Sequence, residues 1–268
     1  MSESGPALRP VHRQIPFASV RVVTALILRE MSSTYGRSPG GYLWSLVEPV
    51  AGILLLAWIF SLGLRNPPLG SNFTIFYATG LLPFYLFMNV SSRTAGALGY
   101  SRQLLAYPRV TVVDVLVARF LLNLITQLLI SYMILAALLL WYDSGTSLDL
   151  GSIVLGFGMA AALAAGIGTL NCLLFGMFPL WNALWSVVMR PLTLVSGVMF
   201  LIESTPQPFQ GYLLWNPLAH VVTEVRTGFY HGYEPSFISP AYVFGISLGT
   251  LALGLLFLWR FHRDLLEK

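Results

Sequence analysis

The stretch Ile153–Phe178, IVLGFGMAAALAAGIGTLNCLLFGMF, contains 26 residues and no charged side chain. About 20 apolar residues in an α-helix are enough to cross the hydrocarbon core of a bilayer. Backbone polar groups cannot be left unpaired in lipid, and a helix pairs them all within the segment. The stretch is therefore predicted to be a transmembrane helix, which assigns the chain to the membrane proteins.

Five further stretches are similarly long and apolar: Val47–Leu64, Phe73–Val90, Phe120–Tyr142, Trp181–Ile202 and Ala241–Trp259. Together the six predict an all-α polytopic membrane protein that forms one transmembrane domain over residues 1–268. The composition agrees, since 56% of residues are hydrophobic and only 10% are charged, against about 25% charged in a soluble domain. This excludes a soluble enzyme and a nucleic-acid-binding protein. The single cysteine, Cys172, excludes an internal disulfide.

The distribution of positive charge predicts the orientation of the spans, because Lys and Arg concentrate in cytoplasmic loops. Eleven of the fifteen Lys and Arg residues lie in the amino-terminal segment, the loop after the second span or the carboxyl-terminal tail. Six spans place these three regions on one side, and only Arg65 and Arg226 fall in the opposite loops. Both termini are therefore expected to be cytoplasmic. Arg21, Arg29 and Glu30 interrupt the first apolar stretch, so no cleavable signal peptide is expected.

Two segments on the predicted cytoplasmic side have an organisation of their own. Residues 17–35 combine apolar positions at helical spacing with Arg21, Arg29 and Glu30. A helix of this kind lies along the membrane surface, because it mixes charge with a broad apolar face. Residues 93–109 form the second cytoplasmic loop, which is also rich in arginine.

On the opposite side, residues 203–239 are neither a span nor a simple loop. Their apolar core, Tyr212–Val222, is too short to cross the membrane, and Asn216-Pro217 divides it. A re-entrant hairpin of two short helices fits this pattern. Such a hairpin is tolerated only where protein covers it or where it lines a wet cavity.

Small residues recur four apart in the fourth and sixth spans, which lets helix backbones approach closely. They are Gly158, Ala162, Gly166, Ala164, Gly168, Gly245 and Gly249. Packing within one subunit is the simpler interpretation, and a contact between subunits is the alternative.

The chain cannot be an ATPase of the P-loop type. That class needs the lysine of G-x-x-x-x-G-K-[ST] to reach the phosphates, and the only lysine is Lys268. If ATP drives this protein, the motor is a separate chain. ATP and Mg would then bind to that partner, and no cofactor is expected in this chain.

His220, Glu224 and His231 are the one group that could carry chemistry. On a helix their side chains fall within about 40° of one face, which suits a metal or an acid–base pair in a membrane enzyme. Glycines four and eight residues after Glu224 disfavour the helix, and no cysteine or further histidine nearby completes a zinc set. The alternative is a polar face of the hairpin that hydrogen-bonds Arg226, lipid headgroups or a passing polar substrate.

Arg190 is the most informative charge within a predicted span. It lies nine residues into the fifth span, about 13 Å from its start. A charge at that depth is costly and usually faces a cavity or a partner. Either Arg190 lines a polar pathway and meets an anionic substrate, or it pairs with a carboxylate or extends to the cytoplasmic edge.

Aromatic residues are abundant in the second span, the fifth span and the hairpin. Examples are Tyr77, Phe84, Tyr85, Trp185, Tyr212, Trp215 and Tyr230. An interfacial belt and core packing explain such residues by default. An aromatic face with a polar rim also suits a sugar, and composition does not decide between these explanations.

Three groups of residues, taken in order and spacing, resemble one family. They are Tyr35–Trp44 (YGRSPGGYLW) followed by Glu48-Pro49, Arg190-Pro191 running into Ser196–Phe200, and Trp215–Leu218 with His220, Glu224, Arg226, Gly228 and Phe229. The chain resembles bacterial ABC export permeases for cell-surface polysaccharides. Within that family it is most similar to the transmembrane subunit of capsular polysaccharide exporters of the KpsM type. O-antigen and teichoic-acid export permeases are close relatives and stay as alternatives.

The resemblance implies a homodimer in the bacterial inner membrane, bound to two copies of a cytoplasmic P-loop ATPase. It implies a lipid-linked capsular polysaccharide as substrate, moved from cytoplasm to periplasm, where an adaptor and an outer-membrane channel continue the route. The competing hypothesis from another class is an integral membrane transferase that uses His220 and Glu224.

The resemblance also assigns roles to the residues identified above. The expected contacts with the ATPase are Arg21, Arg29, Glu30, Arg93, Arg102 and Tyr107. The expected wall of the substrate pathway is formed by Arg190, Trp185, Tyr77, Phe84 and Tyr85. The expected periplasmic exit in the hairpin is formed by Tyr212, Trp215, His220, Glu224, Arg226 and Tyr230.

Overall fold

The computed structural model describes residues 18–35, 41–105, 107, 109–142 and 148–267, which form helices and connecting turns with no strand among them. Phe17 and residues 36–40 of the amino-terminal motif lie outside the described residues. The helices are α1 (Ala18–Tyr35), α2 (Gly41–Gly63), α3 (Phe73–Ala95), α4 (Ala97–Ser101), α5 (Val112–Trp141), α6 (Leu150–Met177), α7 (Pro179–Val195), α8 (Phe209–Leu213), α9 (Pro217–Thr227) and α10 (Pro240–Glu267). One turn of 3₁₀ helix, Ile202–Ser204, lies between α7 and α8.

Among the described residues, five helices are long and apolar enough to cross a membrane. These segments are Leu43–Gly63, Phe73–Ala95, Val112–Trp141, Leu150–Met177 and Pro240–Phe261. Their order along the chain confirms the predicted all-helical, polytopic membrane fold. The sixth span stays a prediction.

The predicted fifth span is wrong at its end. α7 has 17 residues, about 25 Å at 1.5 Å per residue, and it ends at Val195 rather than at Ile202. Gly197 has φ +70°, a conformation that glycine adopts without steric cost, and it turns the chain away from the helix axis. Pro191 lies inside α7, whose helix continues beyond it.

α3 is the centre of the bundle and packs against α2, α5, α6 and α9. Its large side chains point in every direction around the helix, and Phe76, Phe84, Leu86 and Phe87 are all buried. A helix that is apolar all round belongs in the interior of a protein. α3 therefore fixes the positions of the other spans.

The small residues of α6 allow close packing within the subunit. A Cβ at Gly166 would collide with Ser247 of α10, and a Cβ at Gly168 would lie 2.9 Å from the Cβ of Thr94 in α3. Gly245 and Gly249 have no atom within 4 Å of a Cβ placed on them. The interpretation as contacts within one subunit is confirmed for Gly166 and Gly168, whereas Gly158 of α6 also has no atom within 4 Å of a Cβ placed on it.

Polar side chains define where several helices begin. Thr111 and Asp114 form a capping box at the start of α5, so Asp114 has the structural role expected of an interfacial charge. Asn72 accepts a hydrogen bond from the Thr74 N–H at the start of α3, and Asp149 accepts one from the Gly151 N–H at the start of α6. Each cap of this kind stabilises a helix by about 1 kcal/mol.

Candidate functional site

The predicted hairpin is divided at Asn216-Pro217 into α8 and α9, and Asn216 attaches it to the end of α7. The Asn216 amide donates to the Val195 carbonyl at 3.2 Å and to the Ser196 hydroxyl at 3.0 Å. Its amide oxygen accepts from the Leu218 N–H at 3.0 Å, which caps α9. One side chain thus begins α9 and fixes its first turn against the end of α7.

Arg226 is the central polar residue of this region, and it is 1% exposed. Its guanidinium donates to the carbonyls of Gly197 (2.7 Å), Val198 (2.7 Å) and Phe200 (3.2 Å). It also lies over the Phe76 ring, 4.2 Å from the ring centre. Burial lowers the pKa of Arg226 to about 10, so the side chain stays charged at neutral pH. The expectation that Arg226 lines the exit is wrong, because this side chain holds the turn after α7 from inside the protein.

His220 is also buried, and both of its ring nitrogens have partners. Nδ1 accepts from the Ser239 N–H at 3.3 Å, so Nε2 carries the proton and donates to the Leu214 carbonyl at 2.9 Å. The ring lies beside the rings of Phe237 and Tyr242. His220 therefore joins the end of α8 to the start of α10, and it does not face an exit.

Glu224 faces the start of α6 rather than His220. Burial, and then the charge of Asp149, raise the pKa of Glu224, while a hydrogen bond from Ser152 opposes them. The pKa of Asp149 is lowered by hydrogen bonds from the Ser152 hydroxyl and the Gly151 N–H. His220 and Glu224 thus serve different helix junctions, which removes the acid–base pair that a transferase would need. Among the described residues no group of three His, Cys, Asp or Glu is placed to hold a metal ion.

Of the predicted exit residues, the aromatic ones remain accessible. Tyr212 is 73% exposed and Trp215 is 77% exposed, whereas Tyr230 is partly buried. The Trp215 carbonyl accepts a hydrogen bond from the Tyr242 hydroxyl at 2.8 Å. The backbone is therefore fixed while the indole projects from the surface.

α7 carries Arg190 on an exposed face that also contains the exposed Asn182 and Ser186, eight and four residues before it. Within the described part of the chain Arg190 is exposed and has no ion-pair or hydrogen-bond partner. Leu184, Val187 and Val188 are exposed nearby, and Met189 is the only residue of α7 that is buried. Trp185 is partly buried, and its indole N–H has no partner in the described residues.

Two of the four aromatic residues predicted for the pathway wall are placed differently. Tyr77 and Phe84 are 0% and 1% exposed, and Tyr77 lies between the rings of Phe60 and Phe76. They cannot line a surface because α3 is enclosed by its neighbours. Tyr85 is partly buried, and its hydroxyl lies 2.7 Å from the position of a Cβ on Gly52.

At the other end of the bundle, a buried ion pair fixes α1 against α5. Arg119 Nε lies 3.0 Å from Glu30 Oε1, and Arg119 Nη1 donates to the Gly96 carbonyl at 2.9 Å. The guanidinium lies 4.2 Å from the centre of the Tyr100 ring. Glu30 is 7% exposed, so its expected contact with an ATPase is wrong. The other predicted contact residues are exposed: Arg21, Arg29, Arg93, Arg102 and Tyr107.

A polar pocket between α2, α3 and α5 is a feature that the sequence analysis missed. It is lined by Ser45, Glu48, Pro49, Tyr85, Asn89, Arg93, Asn123, Thr126 and Gln127. The available signal was polar residues four apart in apolar helices, as in Asn89 with Arg93 and Asn123 with Gln127. Residues at that spacing share one face of a helix.

These features describe a multi-pass helical membrane protein in which buried arginines and a buried histidine hold the helices together. Residues 21–230 match the ABC-2 type transporter family. The chain therefore belongs to the membrane components of ABC-2 type transporters.

Three curated relatives are similar over nearly their whole length. The chain is 33% identical to the polysialic acid transport protein KpsM of Escherichia coli, over 87% of this chain and 90% of KpsM. It is 28% identical to the capsule polysaccharide export inner-membrane protein CtrC of Neisseria meningitidis serogroup A, over 91% of this chain and 92% of CtrC. It is 26% identical to the capsule polysaccharide export inner-membrane protein BexB of Haemophilus influenzae, over 91% of this chain and 92% of BexB.

Proposed function

We propose that this chain is the permease subunit of an ATP-driven exporter that carries capsular polysaccharide across the bacterial inner membrane. The observation that carries the proposal is the similarity to three capsule export proteins over about nine-tenths of the chain. Membership of the ABC-2 type transporter family supports the same conclusion. The substrate is a lipid-linked glycan, which leaves the cytoplasm through a pathway between two copies of the chain.

The motor is a separate P-loop ATPase, present in two copies, which binds ATP and Mg. Its docking surface is the end of the bundle where α1 lies, which is the cytoplasmic end when both termini are inside. Five exposed side chains contribute there: Arg21, Arg29, Arg93, Arg102 and Tyr107. The Glu30–Arg119 ion pair supports this surface from beneath, because it transmits a movement of α1 to α5.

The exposed face of α7 contributes to the pathway, with Arg190 and Trp185 on its wall. An arginine on an apolar membrane helix is costly unless it faces water or a partner. A pathway between two subunits would place Arg190 next to water and a partner, and a negatively charged polymer would supply the counter-charge. This favours an acidic glycan as the substrate.

The outer end of the pathway lies at α8 and the start of α9. Tyr212 and Trp215 present exposed aromatic faces, onto which the apolar face of a sugar ring can stack. Asn216 and His220 hold these residues in place through the backbone. In the periplasm, an adaptor and an outer-membrane channel receive the glycan.

The test is affinity purification of the tagged chain from native membranes in mild detergent, followed by mass spectrometry. We expect a P-loop ATPase at one copy per permease. A folded permease that elutes without an ATPase contradicts the proposal. Replacing both Arg29 and Arg102 by Glu should abolish co-elution, whereas Arg65→Glu, which reverses an exposed charge in the loop after α2, should retain the ATPase.

A further inference from the structure

The polar pocket between α2, α3 and α5 contains one positive and one negative side chain that do not pair with each other. Arg93 and Glu48 both line it, yet neither forms an ion pair or a hydrogen bond within the described residues. Asn89 and Gln127 line the same pocket and also have no hydrogen-bond partner there. Glu48 and Arg93 are both exposed on the surface of the bundle, and a charge that faces a membrane without a partner is costly, so the pocket is suited to a polar ligand.

An apolar groove of about 260 Å³ lies along α2 and α5, and its residues Leu46 and Val50 directly follow Ser45 and Pro49 of the polar pocket in the chain. Its lining includes Val50 and Leu54 of α2 together with Met133 and Ala137 of α5. From Asn123 in the polar pocket to Leu138 in the apolar groove, α5 rises about 22 Å. The cleft is therefore polar at the end where α2 begins and apolar towards the end where α3 begins.

We infer that this cleft binds one phospholipid with a zwitterionic headgroup. Its phosphate lies at Arg93, its ammonium group lies at Glu48, and one acyl chain lies between α2 and α5. The charges of the pocket select this headgroup, because an anionic lipid would satisfy Arg93 and leave Glu48 facing a negative charge. Asn89 and Gln127 supply donors and acceptors for the glycerol ester region.

The size of the groove also identifies the occupant. A helix of a partner protein is about 10 Å wide with its side chains, whereas the open groove of about 260 Å³ has room for only part of one hydrocarbon chain. With the orientation proposed above, the lipid comes from the cytoplasmic leaflet. It lies against α2 close to the proposed docking surface for the ATPase.

Native mass spectrometry of the purified complex, with phosphatidylethanolamine or phosphatidylglycerol added, tests the inference. We expect each permease to retain one phosphatidylethanolamine in preference to phosphatidylglycerol. Ala137→Trp fills the apolar groove from an exposed position and should abolish retention. Ala252→Trp makes the same change at an exposed position on α10 and should retain the lipid. Equal retention by the two variants overturns the inference.

Glu48→Gln tests the headgroup separately, because it removes one charge from an exposed position without filling the groove. We expect the ratio of retained phosphatidylethanolamine to phosphatidylglycerol to fall by about fivefold, as for the loss of one accessible ion pair. An unchanged ratio overturns the inference, as does wild-type preference for phosphatidylglycerol or for a sugar-bearing lipid. The mass of bound lipid is read without ATP or glycan, so this result is independent of whether the chain exports polysaccharide.

Discussion

The two ends of the bundle are each held by a buried arginine, and the two arginines are satisfied in different ways. Arg226 in α9 and Arg119 in α5 both lie 4.2 Å from the centre of an aromatic ring, and both donate to backbone carbonyls. Only Arg119 has a carboxylate partner, Glu30, at 3.0 Å. Among the described residues Arg226 forms no ion pair, and its hydrogen-bond partners are the three carbonyls of the turn after α7.

This difference shows what each arginine does for the fold. Arg226 satisfies an irregular stretch of backbone that would otherwise leave buried carbonyls unpaired, so it is part of the hairpin's own structure. Arg119 joins two separate helices, so it determines how α1 sits on the bundle. Arg190, which is exposed and has no partner in the described residues, belongs to neither group and is available to contact a substrate.

The largest expected effect is that of Arg226→Met. The substitution removes the donors to three carbonyls inside the protein, and we expect a loss of about 4 kcal/mol in the free energy of unfolding. Thermal unfolding in detergent, followed by size-exclusion chromatography, measures it. Arg226→Lys is the control, because it keeps the charge but loses the planar fork, and it should recover only part of the stability. A loss of less than about 1 kcal/mol in Arg226→Met would contradict the role of Arg226 in holding the turn after α7.

Glu30→Gln should have the next largest effect, a loss of about 3 kcal/mol, because it leaves the charge of Arg119 buried without a counter-charge. Replacing Glu30 and Arg119 together by Leu removes both charges and should recover most of this loss. The free energies of unfolding of Glu30→Leu, Arg119→Leu and the double variant are measured in detergent and form a double-mutant cycle. Additive losses in the double variant would mean that the two side chains are not coupled.

Gly80→Ala tests how tightly the Arg226 side chain and the turn after α7 are packed. A Cβ on Gly80 would lie 2.9 Å from Arg226 Nη2 and 3.0 Å from the Val198 carbonyl oxygen, so we expect a loss of about 1 to 3 kcal/mol from overpacking. Gly245→Ala in α10 is the matched control, since no atom lies within 4 Å of its Cβ position. Similar unfolding midpoints for the two variants would show that the Arg226 side chain and the turn after α7 have room to adjust.

The smallest effect on stability is expected for Arg190→Ala, within about 0.5 kcal/mol, as for other exposed positions. The same variant should lower export of an acidic glycan, because it removes the positive charge on the exposed face of α7. The amount of glycan on the cell surface measures this, with Arg190→Lys as the control that keeps the charge. Full export by Arg190→Ala would exclude a role in the pathway.

The spans were predictable from sequence, whereas the partners of the charges were not. An uncharged run such as Ile153–Phe178 identifies a membrane helix by its length alone. Glu30 and Arg119 are 89 residues apart in the chain, and nothing in either neighbourhood indicates that they meet. Hydropathy gives the depth of a residue along a helix but not the side it faces. The sequence therefore did not distinguish the buried Arg226 from the exposed Arg190.

The aromatic residues of α3 and the end of α7 illustrate the same limit. Tyr77 and Phe84 have the composition expected of a pathway wall, but they are buried because four helices surround α3. α7 ends early because Gly197 turns the chain and Arg226 satisfies the turn. The sequence stays apolar through Ile202, and apolar sequence alone does not reveal a turn that a distant side chain stabilises.

The central claim is that this chain moves a finished glycan and does not make it. Disrupting its gene in the source bacterium and measuring capsular glycan inside the cell and on its surface tests this claim directly. The account predicts that the glycan accumulates inside while the surface loses it, and that the wild-type gene restores export. If the disrupted strain also lacks glycan inside the cell, the result would contradict the proposed export function and would indicate a role in synthesis.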